Sequence, residues 1–111
     1  MELARNIVNY LEEKKGENIL LLDIHELADF AEYFVICSGT SDRMLRALAD
    51  EVQEEVRLHY QLKGRLEGEP QDGWMLIDYG DVVVHLLSPE RRNYYRLEEL
   101  WVKGKVLLRV Q

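Results

Sequence analysis

The sequence predicts a compact α/β fold with a mixed β-sheet of about five strands and about three helices. Short continuous apolar runs alternate with longer segments in which apolar residues recur every three or four positions, and these are the patterns of buried strands and amphipathic helices. No repeat or low-complexity linker interrupts this order. Because 111 residues is the length of one domain, we expect residues 1–111 to form a single unit, with 102–111 as a C-terminal extension.

The first helix is predicted by four apolar residues at helical spacing, Leu3, Ile7, Val8 and Leu11. It ends at Gly16, a residue typical of helix C-termini. Residues 19–23 and 33–37 are uninterrupted apolar runs, which indicate strands covered on both faces. They are therefore predicted to be central strands.

A second helix is predicted from about residue 41 to residue 59, because several N-capping residues follow Gly39. Its apolar stripe consists of Met44, Leu45, Leu48, Val52 and Val56. Residues 63–68 predict only a weak edge strand before the turn at 69–73.

Two further strands are predicted over residues 74–77 and 82–87. Ser88, Pro89 and Glu90 then form a helix start: a hydroxyl cap, a proline at the first helical position and an acid in the first turn. The third helix carries an apolar stripe and ends at Gly104. The stripe consists of Tyr94, Tyr95, Leu97, Leu100 and Trp101. Residues 105–110 are either a short extra strand or an ordered tail.

Charge and composition narrow the functional classes. With 14 basic and 21 acidic residues, the formal charge of −7 disfavours direct nucleic-acid binding and favours a basic protein partner. The single cysteine, Cys37, lies in a predicted buried strand, which fits a reducing cytoplasm. No signal peptide or membrane-spanning run is predicted.

Residues 73–85 are the most informative segment, because Asp78 and Asp81 interrupt what reads as a sheet core. One interpretation is a metal-binding pair, as in enzymes that transfer phosphoryl groups. Combined with the Ser38-Gly39 turn at a strand-to-helix junction, it describes a small metal-dependent nucleotidyltransferase-like enzyme. The plainer interpretation is a tight turn with solvated aspartates, because residues three apart on a strand face opposite ways.

Histidines and aromatics leave similar alternatives. His85 is either a general base near the aspartates or a structural hydrogen-bonding residue. Trp74, Leu76 and Asp78 share one face of their strand, opposite Met75, Ile77 and Tyr79. An accessible Trp74 face is typical of a protein-binding hot spot, whereas a buried one indicates a core tryptophan under the third helix. The scattered histidines show no zinc spacing with Cys37.

Three motifs together resemble the ribosomal silencing factor family, also called the Iojap family, over nearly the whole chain. They are Ala-Glu-Tyr-Phe-Val-Ile-Cys-Ser-Gly-Thr-Ser at 31–41, Glu67-Gly68 followed by Trp-Met-Leu-Ile-Asp-Tyr-Gly-Asp-Val-Val-Val-His at 74–85, and Arg-Asn-Tyr-Tyr-Arg-Leu-Glu-Glu-Leu-Trp at 92–101. The order and spacing of the three motifs argue against a chance match. Residues 61–72 are not diagnostic, and 102–111 lie beyond the motifs.

The resemblance implies a nucleotidyltransferase-like α/β fold with no catalytic residues, cofactor or metal. It implies that the protein binds the large ribosomal subunit through its fourteenth ribosomal protein and sterically blocks joining of the small subunit, lowering translation when nutrients are scarce. A role in large-subunit maturation is also attributed to the family. Members are often seen as homodimers, so a homodimer remains an open alternative.

Within the matched motifs, residues that combine apolar contact with negative charge are the predicted partner-binding site. They are Glu67, Trp74, Leu76, Asp78, Tyr79 and Asp81. No membrane contact and little direct nucleic-acid binding are expected, and the expected location is the cytoplasm.

Overall fold

The computed structural model describes residues 1–27, 29–95 and 105–110, without the side chains of residues 94, 95 and 105. Within them the helices are α1 (Glu2–Glu13), α2 (Asp42–Tyr60) and α3 (Pro89–Tyr95). The strands are β1 (Glu17–Asp23), β2 (Tyr33–Ser38), β3 (Arg65–Glu67), β4 (Trp74–Asp78), β5 (Val82–Leu87) and β6 (Lys105–Val110). A short 3₁₀ turn, Pro70–Asp72, precedes β4.

All six strands form one sheet in the order β3-β4-β5-β2-β1-β6. Strands β2 and β5 pair in parallel, and the other neighbours are antiparallel. The prediction of an α/β fold with a mixed sheet is confirmed, with six strands rather than about five. Residues 105–110 are the extra strand, because β6 pairs with β1 along most of its length.

Helices α1 and α2 cover one face of the sheet. Their buried apolar residues join those of the strands beneath them in one cluster, as the helical spacing of both segments predicts. Ser41 caps α2 by accepting a hydrogen bond from the Met44 backbone N–H at 3.0 Å. Gln61, at φ 56°, ends it. The predicted limits of α2 were therefore correct to one residue.

The opposite face of the sheet, which we call the second face, carries a separate apolar cluster. Its buried members are Leu20, Leu22, Ile24, Ala31, Phe34, Ile36, Val83 and Leu87. Because β1 and β2 contribute apolar side chains to both faces, their sequences are continuous apolar runs rather than alternating ones.

The third helix starts at the predicted cap, where Ser88 Oγ accepts a hydrogen bond from the Arg91 backbone N–H at 3.1 Å. Arg92 then ties this helix to the sheet: its guanidinium donates to Ser38 Oγ at 3.0 Å and to the Asn18 carbonyl. The predicted positions of Leu97, Leu100, Trp101 and Gly104 lie outside the described residues.

Candidate docking face

Strand β4 alternates between the two faces of the sheet. Met75 and Ile77 are fully buried beneath the helices, whereas Trp74, Leu76 and Asp78 are half-buried. In the register with β5, these three face Leu87, His85 and Val83, so they lie on the second face. The predicted period-two alternation is confirmed, and it is the Trp74 side that keeps partial exposure.

Glu67 lies on the same face as Trp74, because it pairs with Leu76 across β3 and β4. Its carboxylate is exposed and forms an ion pair with Arg65 at 3.3 Å. An exposed pair of this kind contributes little to stability. Arg65 also reduces the negative potential that Glu67 adds to this edge of the sheet.

Tyr79 is separated from the other predicted site residues. Its ring lies against Gly64 and packs with the cluster beneath the helices. The Tyr79 hydroxyl is buried and has no hydrogen-bond partner in the described part of the chain, and burial raises its pKa to about 12. Its side chain therefore contributes to the helical side of the sheet rather than to the second face.

Asp78 and Asp81 belong to the turn between β4 and β5. Asp78 Oδ1 accepts a hydrogen bond from the Gly80 N–H at 2.8 Å, and the Tyr79 N–H donates to the Val82 carbonyl at 2.9 Å. Gly80 has φ 89°, a conformation that favours glycine. Asp81 is exposed, so the turn interpretation of this pair matches the geometry.

The residues of the alternative enzyme site are not brought together. Ser38 pairs with Leu87 at the C-terminal ends of β2 and β5, while Asp78 pairs with Val83 near the N-terminal end of β5. At a rise of about 3.3 Å per residue, roughly 13 Å of strand separates the two levels. Among the described residues, no group of three or more histidine, cysteine or acidic side chains is placed to hold a metal ion.

His85 is buried at 5% exposure on the second face. Burial lowers its pKa to about 4, so the imidazole is neutral at pH 7. Its Nδ1 accepts a hydrogen bond from the Trp74 indole N–H at 3.3 Å, and its ring meets Phe34 edge-on with centroids 4.6 Å apart. These contacts favour the structural interpretation of His85 over the general-base one.

Sequence reasoning missed Phe30, whose side chain is 63% exposed in the loop between β1 and β2. Its ring lies 6.0 Å from that of Phe34, and Phe34 contacts His85, which contacts Trp74. A row of four rings thus runs along the second face. The sequence could have indicated Phe30 as a surface aromatic, because it lies outside both apolar strand runs, where no core role requires a phenylalanine.

The Phe30 loop is fixed to the β4–β5 turn by the Asp81 carbonyl, which accepts from the Glu32 and Tyr33 backbone N–H groups at 2.8 and 3.0 Å. Exposed carboxylates of Asp29, Glu32 and Asp81 therefore lie in two connected segments. We call the surface formed by Phe30, Glu67, Trp74, Leu76, Asp78 and Asp81 the docking face. It combines apolar side chains with a negatively charged margin.

An apolar surface with charged margins is typical of a protein-binding module. The family model described as "Ribosomal silencing factor during starvation" matches residues 1–110. The chain belongs to this family. A Halalkalibacterium halodurans relative named ribosomal silencing factor RsfS is 39% identical over 100 residues, covering 90% of this chain and 86% of that protein.

A crystal structure of a Chromobacterium violaceum protein has the same fold, with a TM-score of 0.85 and 35% identity, covering 90% of this chain and 83% of that one. A mouse protein named mitochondrial assembly of ribosomal large subunit protein 1 is 36% identical, over 86% of this chain and 43% of its own length. Of the helices in the described residues, none is long and apolar enough to cross a membrane.

Proposed function

We propose that the protein binds the large ribosomal subunit through its fourteenth ribosomal protein and thereby blocks joining of the small subunit, which represses translation under nutrient limitation. Family membership supports a silencing role. The name of the mouse relative places that protein in assembly of the large subunit, which supports the same subunit as the target here and a further role in its maturation. The proposed site of action is the cytoplasm.

The observation that carries the proposal is the half-buried Trp74 beside Leu76 on the second face. Tryptophan is enriched among residues that dominate binding energy, because it contributes a large rigid apolar area. Trp74 packs on a buried cluster and is therefore held in place before binding. A partner can cover its remaining surface without paying to order it.

Charge supports a basic partner. The chain carries −7, and the docking face includes the exposed carboxylates of Glu67 and Asp81. Complementary charge raises association rates and excludes partners of like charge. A surface rich in lysine and arginine on a ribosomal protein meets this requirement, whereas exposed RNA backbone does not.

The proposed mechanism is competitive exclusion, in which no covalent bond changes. A standard interface buries about 800 Å² on each partner, whereas one aromatic side chain supplies only about 150–250 Å². Trp74, Leu76 and Phe30 therefore need surrounding residues to complete the contact. The Phe30 loop and the β4–β5 turn, which are joined through the Asp81 carbonyl, extend this surface from the Phe30 end of the aromatic row.

Calorimetric titration of the purified fourteenth ribosomal protein with this protein tests the partner assignment. We expect saturable binding that weakens as salt rises, because screening shortens the reach of surface charges. Absence of binding at low salt would remove this partner from the proposal. Sedimentation equilibrium of the protein alone decides whether it is a homodimer, an alternative that remains a prediction.

A further inference from the structure

The imidazole of His85 lies between two aromatic rings of the second face. On one side Phe34 meets it edge-on, with centroids 4.6 Å apart. On the other side the Trp74 ring lies at a centroid distance of 6.0 Å, and its indole N–H donates to His85 Nδ1 at 3.3 Å. The orientation of the tryptophan is therefore coupled to a side chain that is itself fixed by packing.

This arrangement costs stability. When Nδ1 of a neutral imidazole accepts a hydrogen bond, the ring proton is on Nε2. His85 Nε2 is buried and has no hydrogen-bond partner among the described residues, and an unsatisfied buried polar group is unfavourable. An apolar side chain of similar size at position 85 would avoid this penalty. Locally unfavourable residues of this kind are expected where function requires them.

We propose that His85 is a positioning residue for the docking face: its Nδ1 fixes the indole edge of Trp74, so that the tryptophan is presented to the partner in one orientation. The identity of the partner rests on the proposed function. The interaction between Trp74 and His85 is independent of it. His85 is buried, so it acts through Trp74 and not by touching the partner.

Two substitutions separate positioning from structural support. His85→Leu removes the acceptor and also the unsatisfied Nε2 group, so the melting temperature should be unchanged or higher. His85→Asn keeps an acceptor oxygen at the position of Nδ1, but it leaves a smaller side chain and should lower the melting temperature. If His85 were only structural, the more stable variant, His85→Leu, would also bind the partner better. The positioning role predicts that the less stable variant, His85→Asn, binds better.

The first readout is the indole N–H cross-peak of Trp74 in a ¹H–¹⁵N spectrum. Trp101→Phe in every sample leaves Trp74 as the sole tryptophan of the two in the chain. We expect a hydrogen-bonded shift and slowed solvent exchange with His85 and with His85→Asn, and loss of both with His85→Leu. An unchanged cross-peak in His85→Leu would overturn the proposal, regardless of the result for binding to the large subunit.

The second readout is binding to isolated large subunits. We expect His85→Leu to bind about tenfold more weakly than the unsubstituted protein, which is a loss typical of a disturbed central aromatic contact. The affinity of His85→Asn should stay within about twofold of that of the unsubstituted protein, because the acceptor is kept. In a Trp74→Ala background, His85→Leu should have no further effect, since it acts through that ring. A full additional loss there would contradict positioning. If Trp74→Ala alone binds normally, the docking proposal fails, while the spectrum still decides the role of His85.

Discussion

The carboxylate of Asp78 accepts a hydrogen bond from the backbone N–H of Gly80 at 2.8 Å. This contact shapes the turn between β4 and β5, and Asp81 in the same turn is exposed. The two aspartates therefore have different roles, although the sequence presents them as a pair. Asp78 stabilises the turn, and Asp81 adds negative charge to the docking face.

Alanine substitutions at the two positions should separate these roles. Asp78→Ala removes the turn hydrogen bond and should lower the free energy of unfolding by about 1 kcal/mol. Asp81→Ala leaves its backbone contacts intact and should change stability by less than about 0.5 kcal/mol. Urea unfolding measures both. Equal losses would show that the Asp78 contact does not stabilise the turn.

Gly68 and Gly80 provide a matched test of the backbone around Trp74. Both have positive φ, 87° and 89°, so alanine is strained at either position. At Gly80 an added Cβ meets no atom of the described residues within 4 Å, whereas at Gly68 it would lie 2.3 Å from the Trp74 carbonyl oxygen.

Gly80→Ala should therefore cost about 1–2 kcal/mol, the penalty of the left-handed conformation. Gly68→Ala should cost at least about 1 kcal/mol more, because a backbone atom of β4 must move. Thermal or urea unfolding measures the difference. Similar losses for the two variants would mean that β4 tolerates displacement at Trp74.

Burial of His85 predicts a pH dependence of stability. Its folded pKa is about 4, against an ordinary value of 6.5, so between these values the unfolded chain binds the additional proton. Stability should fall as pH decreases from about 6.5 to about 4, by up to about 3 kcal/mol from this group. Below about 4 both states are protonated, and the loss stops growing.

The comparison with His85→Leu isolates this contribution from that of the acidic residues. The variant should lose less stability over the same pH interval when both proteins are unfolded in urea at pH 7, 6, 5 and 4.5. Parallel curves for the two proteins would show that His85 titrates normally in the folded state.

Phe30 should contribute to binding without contributing much to folding. Phe30→Ser removes an exposed ring from the docking face and should weaken large-subunit binding about fivefold to thirtyfold, as for a contact worth about 1–2 kcal/mol. Leu58→Ser is the matched control, because Leu58 is 55% exposed on α2, which covers the other face. Co-sedimentation measures both. Equal effects would remove Phe30 from the interface.

The sequence predicts those elements whose patterns reflect burial directly. Strands β1 and β2 are apolar on both faces, so their continuous runs identify them, and the stripe of α2 matches the buried cluster under it. Alternation along β4 likewise predicts that Trp74 and Met75 lie on opposite faces of the sheet, as they do. It does not reveal which side the helices cover, because both sets contain large apolar residues.

Other features depend on tertiary pairing. The parallel pairing of β2 with β5 puts the Ser38 turn and Asp78 at different levels of the sheet, and no local pattern specifies this separation. The same is true of Phe30, which lies at the end of the aromatic row in a loop whose backbone is hydrogen-bonded to the Asp81 carbonyl. Tyr79 lies on the Met75 side of β4, as the predicted alternation requires. The predicted partner-binding site combined Tyr79 with Trp74, although that same alternation puts the two side chains on opposite faces.

The central claim is that the docking face prevents the ribosomal subunits from joining. A sucrose gradient of purified small and large subunits, with saturating protein added under conditions that favour joining, tests it most directly. We expect the joined-ribosome peak to fall with the unsubstituted protein and with Leu58→Ser, and to persist with folded Trp74→Ala. A joined peak that persists with the unsubstituted protein, or that falls equally with Trp74→Ala, would contradict the account.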